Sequence, residues 1–191
     1  PLLIRAAEIM DELFWMQAYP KRDSLLSAVK DEKTREFIKI NYGPWDRLND
    51  NKPFVKGIGD KPLGSGFYPA DMTREELEKS DVSDKKGLYS MVRRDKSGKL
   101  ISIPYSVYFK DELKKASDLL LQAAQITEEI QLKKYLTLRA EAFLTDNYMP
   151  SDFAWMDMTN SGLDIIIGPI ENYEDGLFNA RAAFESYVLV K

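Results

Sequence analysis

The sequence predicts an α+β fold in which helices pack around a small antiparallel β core. Apolar residues recur at helical spacing near the start of the chain and again between residues 107 and 145. Runs of β-branched residues flank a turn-forming segment in the middle of the chain and return near its end, which is the pattern of paired strands. Helices outside and antiparallel strands inside define the α+β class.

Composition limits the functions that this chain can carry. The 191 residues include 44% apolar and 30% charged residues, which is typical of a globular domain. The net charge of −4 argues against a nucleic-acid partner, because phosphate binding needs a basic face. No apolar run approaches the ~20 residues that span a bilayer, so no membrane partner is expected. The absence of cysteine fits a reducing compartment, and a cytoplasmic location is therefore expected.

The first quarter of the chain is expected to be helical. Apolar residues at Leu2–Ala18 follow one helix face. A second helical region covers Ser24–Val29 and Asp31–Ile40, in which the first aspartate is a plausible N-cap. In this second region Phe37 and Ile40 are expected to face inward.

A long loop follows over residues 43–72, and a short helix comes after it. The part of this loop from Gly43 to Pro69 holds five of the chain's ten glycines and four of its nine prolines, so no regular element is expected there. Loops of this length in compact domains are usually functional or wrap a core. Thr73 to Glu76 form a capping box, which predicts a helix through Lys79.

The second half of the chain is expected to contain, in order, a hairpin, a pair of helices and two further strands. Residues 88–104 form the clearest hairpin pattern, with β-prone arms and an Asp-Lys-Ser-Gly turn. Val107–Thr127 and Glu129–Thr145 are predicted to be antiparallel helices, because their connection is short. Leu163–Ile167 is a branched run that predicts a strand buried on both faces or nearly so. Ala182–Val190 predicts a last strand, or a helix that turns into a strand. We expect residues 1–191 to form a single partial domain.

Several kinds of chemistry are excluded by residue type. Without histidine or cysteine there is no Ser-His-Asp site and no zinc site of the usual nitrogen and sulfur kind, so no catalytic or metal-binding residue is assigned. The cluster of Glu171, Glu174 and Asp175 is compatible with a hard cation or with the first turn of a helix, and the helix is favoured. Trp45, at the start of the long loop, is a candidate for contact with a ligand.

The segment from Ser151 to Tyr187 resembles part of the dipeptidyl peptidase III family of zinc metallopeptidases. The similarity rests on Asp164–Gly168, then Ile170–Tyr173, then Phe184-Glu185, with weaker similarity along most of the chain. The form Leu-Asp-Ile-Ile-Ile-Gly-Pro is similar to the family branch in which a Nudix domain is fused to the peptidase. No Nudix box occurs here. Both ends of the chain look cut, so a fragment of a longer protein is expected.

The resemblance implies a role for the strand near the end of the chain. In the family this strand edges the peptide-binding cleft and pairs with the substrate, while a Glu and a Tyr on it hold the substrate's amino terminus. These two positions fall on Asp164 and Ile166. The resemblance implies Asp164, Ile166 and Gly168 as substrate-binding residues, and Trp45 is added to them because of its place at the start of the long loop. The expected partners are peptide and the remaining lobe of the parent protein.

The resemblance also implies that the catalytic zinc lies elsewhere. The family motif H-E-x-x-G-H is absent, so zinc is expected in the full-length parent, no cofactor is expected in this fragment, and the fragment alone should be inactive. An alternative is a non-enzymatic interaction module based on the helix pair between residues 107 and 145.

Overall fold

A computed structural model describes residues 1–159 and 161–190. The helices are α1 (Leu2–Ala18), α2 (Arg22–Ala28), α3 (Glu32–Asn41), α4 (Arg74–Lys79), α5 (Tyr105–Tyr108), α6 (Lys110–Ile126), α7 (Ile130–Thr145) and α8 (Met149–Met156). The strands are β1 (Trp45–Asp46), β2 (Lys52–Pro53), β3 (Ser90–Arg94), β4 (Leu100–Pro104), β5 (Leu163–Glu171) and β6 (Ala183–Val190). They pair only as antiparallel neighbours within the described residues, β1 with β2, β3 with β4 and β5 with β6. The α+β class is confirmed.

The core includes buried residues of α1, α6, α7 and the last two strands, together with residues of the long loop and of the β3–β4 hairpin. Helices α6 and α7 pack on each other, and α1 packs against both α6 and β6. Their facing residues are fully or almost fully buried and include Met10, Leu13, Leu120, Leu136 and Phe143. The apolar faces of α6 and α7 are therefore buried in the core of this same chain. Among the described residues, no helix has the length and apolarity to cross a membrane.

The buried face of helix α3 differs from the one expected from the sequence. Asp31 caps the helix as expected, because its carboxylate accepts the Thr34 N–H at 2.8 Å. The buried residues of α3 are Ile38 and Asn41, whereas Ile40 is 71% exposed. Phe37 is 40% exposed and packs on Phe54 of the long loop, with ring centroids 4.7 Å apart. The prediction that Phe37 and Ile40 face inward is wrong, because α3 turns a neighbouring stripe of residues to the core.

The hairpin of β3 and β4 places its turn at Asp95–Gly98. Arg94 lies opposite Leu100 in the register, and Asp95 accepts the backbone N–H groups of Ser97 and Lys99. Gly98 has φ of 84°, a conformation that glycine takes at little cost. Asp95 and Gly98, which predict the turn from the sequence, are thus the residues that form it.

Strands β5 and β6 form a two-stranded sheet with one buried and one open face. Ile165 and Ile167 are fully buried, whereas Ile166 between them is only partly buried. The Leu163–Ile167 run was expected to be buried on both faces or nearly so, but only Ile165 and Ile167 are buried, and Leu163, Asp164 and Ile166 are partly exposed. The physical reason is that helices cover only one side of this sheet, and the other side borders a cleft. A strand in which four of five consecutive residues are apolar therefore does not require two covered faces.

Candidate binding cleft

A cleft of about 450 Å³ lies over the open face of the β5–β6 sheet. Its floor is apolar, and its walls carry carboxylates and tyrosine hydroxyls. No lysine or arginine is among the described residues that line it. The lining residues are Asp11 and Phe14 of α1, Tyr42, Ile166, Ile170 and Glu171 of β5, Tyr173, and Phe184, Glu185, Ser186 and Tyr187 of β6.

The strand register explains which side chains share this face. Ile166 lies opposite Tyr187, Gly168 opposite Glu185, and Asp164 opposite Leu189. Residues directly opposite in an antiparallel pair point to the same face, and so do alternate residues along one strand. One sheet face thus presents Asp164 and Ile166 from β5 beside Glu185 and Tyr187 from β6.

Two tyrosine–carboxylate pairs build the walls of the cleft. Tyr42 donates its hydroxyl to Asp11 of α1, and Tyr173 donates its hydroxyl to Glu185 at 2.7 Å. Burial raises the pKa of both tyrosines, and the adjacent carboxylates raise it further, so both hydroxyls keep their protons. Burial also raises the pKa of Glu185, while its hydrogen bond from Tyr173 acts in the opposite direction.

Three of the four expected substrate-binding residues lie on β5. Asp164 is partly exposed, and one of its carboxylate oxygens accepts the indole N–H of Trp155 at 3.3 Å. Ile166 lines the cleft. Gly168 has φ of 132°, and a Cβ at this position would lie 3.0 Å from Nη1 of Arg139, so this glycine lets α7 approach the strand. Substrate contact by these residues stays a prediction.

Trp45 lies apart from the other three. Its side chain is 6% exposed, and its indole N–H donates to the Gly59 carbonyl at 2.8 Å. The ring packs edge-on against Tyr19, and it is not among the described residues that line the cleft. The buried ring with its satisfied N–H holds the long loop against the end of α1. Ligand contact by Trp45 stays a prediction.

The acidic cluster after β5 is structural rather than metal-binding. Glu174 is buried and takes three partners: Arg47 and Lys61 at 2.7 Å each and the Ser65 hydroxyl at 2.9 Å. Burial tends to raise the pKa of Glu174, but the two cations lower it below its ordinary value. The network ties the long loop to the turn that follows β5.

Asp175 beside it is fully buried and closes that turn. Its two oxygens accept the backbone N–H groups of four residues and the hydroxyl of Tyr68, which lies 2.8 Å away. The four backbone donors are Leu177, Phe178, Ala180 and Arg181. Neither interpretation of the cluster from the sequence was correct, because residues 172–182 form turns without a helix and their carboxylates are already satisfied.

The residues of this chain do not fit a zinc site. The sequence has no histidine and no cysteine, and the described residues contain no group of three or more acidic side chains that are placed to hold a metal ion. Oxygen ligands alone favour harder cations than zinc. The chemistry available to the cleft is therefore recognition by charge, hydrogen bonding and apolar contact.

Sequence reasoning missed most of the cleft walls. Asp11 and Tyr42 come from two separated segments, and nothing in their local pattern distinguishes them from surface residues. Tyr173 and Glu185 lie in segments that carry the family resemblance, and the strand alternation of β6 places Glu185 and Tyr187 on one face.

Comparison with known proteins relates the whole chain to one kind of enzyme. It is similar over its full length to dipeptidyl peptidase III of Caldithrix abyssi, with 45% identity and a TM-score of 0.93, and covers 38% of that chain. The dipeptidyl peptidase III of Corallococcus sp. strain EGB gives 38% identity and a TM-score of 0.91, again over 100% of this chain and 38% of the other. No family model matches.

A curated relative supports the Nudix connection. Nudix hydrolase 3 of Arabidopsis thaliana is 31% identical over the whole of this chain, which spans 32% of that protein. The resemblance to dipeptidyl peptidase III and to its Nudix-associated branch is confirmed. The chain spans well under half the length of each relative.

Proposed function

We propose, from its full-length likeness to dipeptidyl peptidase III, that this chain forms the peptide-binding wall of a zinc-dependent dipeptidyl-peptidase-like metallopeptidase. The observation that carries the proposal is the open face of the β5–β6 sheet, where Asp164 lies beside a cleft lined by carboxylates. The zinc and its ligands belong to another part of the parent protein, and this chain supplies none of them.

The substrate is an extended peptide that adds to the free edge of β5. Within the described residues β5 pairs with β6 alone, so its other edge has no strand neighbour. Leu163 donates its N–H to the Ser161 hydroxyl at 3.2 Å, so alternation directs the backbone groups of Ile165 to the same outer side. Pairing at Ile165 gives sequence-tolerant affinity, because main-chain hydrogen bonds do not depend on the side chains of the peptide.

Asp164 sets the register of the bound peptide. It precedes Ile165 directly, and strand alternation puts its side chain on the same face as Ile166, which lines the cleft. An ammonium group at the peptide's amino terminus can donate to the carboxylate oxygen that Trp155 leaves free. Such a charge-assisted hydrogen bond contributes about 1.5–3 kcal/mol. Peptides with a free amino terminus should therefore bind more tightly than blocked ones.

The proposal is tested by removing the charge of Asp164. The Kd of a pentapeptide labelled at its carboxyl end is measured by fluorescence anisotropy, with its amino terminus either free or acetylated. Asp164→Asn should weaken binding of the free peptide about tenfold and leave the acetylated peptide nearly unchanged. Asp157→Asn is the matched control, because this exposed aspartate lies outside the cleft and only borders Lys134.

Two outcomes would count against the proposal. Equal loss of both peptides in Asp164→Asn would mean that the strand itself is disturbed. Equal binding of free and acetylated peptides by the unmodified chain, or no binding of either, would remove amine recognition from this site.

A further inference from the structure

Helix α8 exposes a row of three large apolar side chains. Met149, Phe153 and Met156 follow each other at spacings of four and three residues, which places them on one face of the helix. Their exposed fractions are 65%, 59% and 66%. The opposite face holds Ser151 and Ala154, which are buried where α8 packs on α7. We call the three exposed residues the α8 stripe.

The α8 stripe differs from a scattered apolar residue such as Leu48, in the turn between β1 and β2. A single exposed apolar side chain is ordinary in a folded protein, whereas an apolar patch on one face marks a surface that another element covers. The apolar surface also continues towards α7. Asp157 follows the stripe and pairs with Lys134, and Ile130 lies one helical turn before that lysine and is 84% exposed.

The charged neighbours of the stripe already have partners within this chain. Asp152 pairs with Arg139, and Asp157 lies 3.6 Å from the ammonium group of Lys134. An occupant therefore gains little from charge at this surface and gains mainly from the burial of apolar area. Side chains one helical turn apart form a ridge that fits into the groove of a second helix. The matching surface is thus the apolar face of an amphipathic helix.

The comparisons indicate where such a helix can come from. No residue of the α8 stripe is among the described residues that line the cleft, so a peptide bound there would not cover it. This chain covers 38% of each of the two dipeptidyl peptidase III chains that it matches over its full length. Most of a parent of that length lies outside these 191 residues and can supply the helix.

We propose that the α8 stripe is the docking surface for an amphipathic helix from the part of the parent protein outside these residues. This inference goes beyond the proposed function, because it concerns another face of the chain and does not depend on peptide binding. Phe153 lies at the centre of the contact, with a methionine on each side. The flexible methionine side chains adapt to the surface of the docked helix.

The two methionines report directly whether the stripe is covered. Hydrogen peroxide transfers one oxygen atom to a methionine sulfur and is itself reduced to water. The extent of oxidation of each methionine in the parent protein is followed by mass spectrometry, with a short methionine-containing peptide as the reference. Met149 and Met156 should react about tenfold more slowly than the reference peptide, although both are exposed in this chain. Met10, which is fully buried, shows whether the fold stays intact.

A charge in the centre of the stripe should release the docked helix. In the parent with Phe153→Lys, Met149 and Met156 should react about fivefold faster than in the unmodified parent, because an unpaired charge is costly to bury. Leu48→Lys is the matched control. It makes the same substitution at a residue that is 99% exposed and lies outside the stripe, so both oxidation rates should stay unchanged.

Four results would overturn the inference. Oxidation of Met149 and Met156 in the unmodified parent at the rate of the reference peptide would show that no helix covers them, whatever the variants do. Protection that disappears when the parent is diluted would assign the stripe to a second copy. Protection that appears only when a peptide is added would assign it to the substrate. Slow oxidation that persists in Phe153→Lys while Met10 stays unreacted would mean that the local structure, without a docked helix, protects the two sulfurs.

Discussion

Glu174 and Glu185 both neighbour Tyr173, but their carboxylates have different surroundings. Glu174 follows Tyr173 in the chain and is held by Arg47, Lys61 and Ser65. Glu185 is joined to Tyr173 through a hydrogen bond and faces the cleft. The cations lower the pKa of Glu174 despite its burial, whereas burial raises the pKa of Glu185. The first carboxylate builds the fold, and the second remains available to a ligand.

The same contrast holds for two aspartates. Asp175 is fully buried and has five donors within the protein. Asp164 is partly exposed and has one donor, the Trp155 indole. A carboxylate whose oxygens all accept hydrogen bonds inside the chain has no oxygen free to accept one from a substrate. The number of internal partners therefore separates the acids that hold the fold together from the acids that keep an oxygen free better than their position in the sequence does.

The largest effect is expected when the structural glutamate loses its charge. Glu174→Gln should lower the free energy of unfolding by about 2–4 kcal/mol, because it leaves Arg47 and Lys61 without their shared anion in a mostly buried site. Urea denaturation at neutral pH measures the difference. Glu12→Gln, which breaks an exposed ion pair with Arg22, is the control and should cost less than about 1 kcal/mol.

Glu174 should also make the fold sensitive to acid. Its pKa in the folded chain lies below the ordinary value of 4.5, so it releases its proton on folding and stabilises the fold above that pH. This contribution is lost as the pH falls through the folded pKa. As the pH falls from 6 to 3, the free energy of unfolding should therefore decrease more for the unmodified chain than for Glu174→Gln. An equal decrease for the two proteins would argue against the network.

The smallest effect on stability is expected at the cleft glutamate. The folded chain holds the pKa of Glu185 above 4.5, so the ionised side chain is slightly disfavoured by folding and its stability contribution declines as the pH rises. Glu185→Gln should change the free energy of unfolding at neutral pH by less than about 0.5 kcal/mol, with no loss of stability. A destabilisation as large as that of Glu174→Gln would mean that Glu185 is structural too.

The sequence was sufficient for elements whose signals are local. The hairpin could be predicted because Asp95 and Gly98 supply the turn by themselves, and the N-cap of α3 because Asp31 reaches Thr34 three residues away. The pairing of α6 with α7 follows from their spacing and short connection.

What could not be predicted depends on contacts between distant segments. Glu174 meets Arg47 across 127 positions in the chain, and no local pattern separates that ion pair from a metal ligand or a helix cap. Ile166 and Ile167 are adjacent residues of the same type, yet Ile166 lines a cleft and Ile167 is buried, because helices cover only one face of β5. The burial of Trp45 could not be predicted for the same reason, since its partner Gly59 lies 14 positions away in the loop.

The most direct test of the account is to map where a peptide binds. Backbone amide shifts of the 191-residue chain are recorded while an unlabelled pentapeptide with a free amino terminus is added. We expect shifts concentrated at residues 163–168 of β5 and 185–189 of β6, with little change at residues 172–182, where the acids are internally satisfied. Shifts confined to the outer faces of α6 and α7, or spread evenly over the chain, would contradict this expectation.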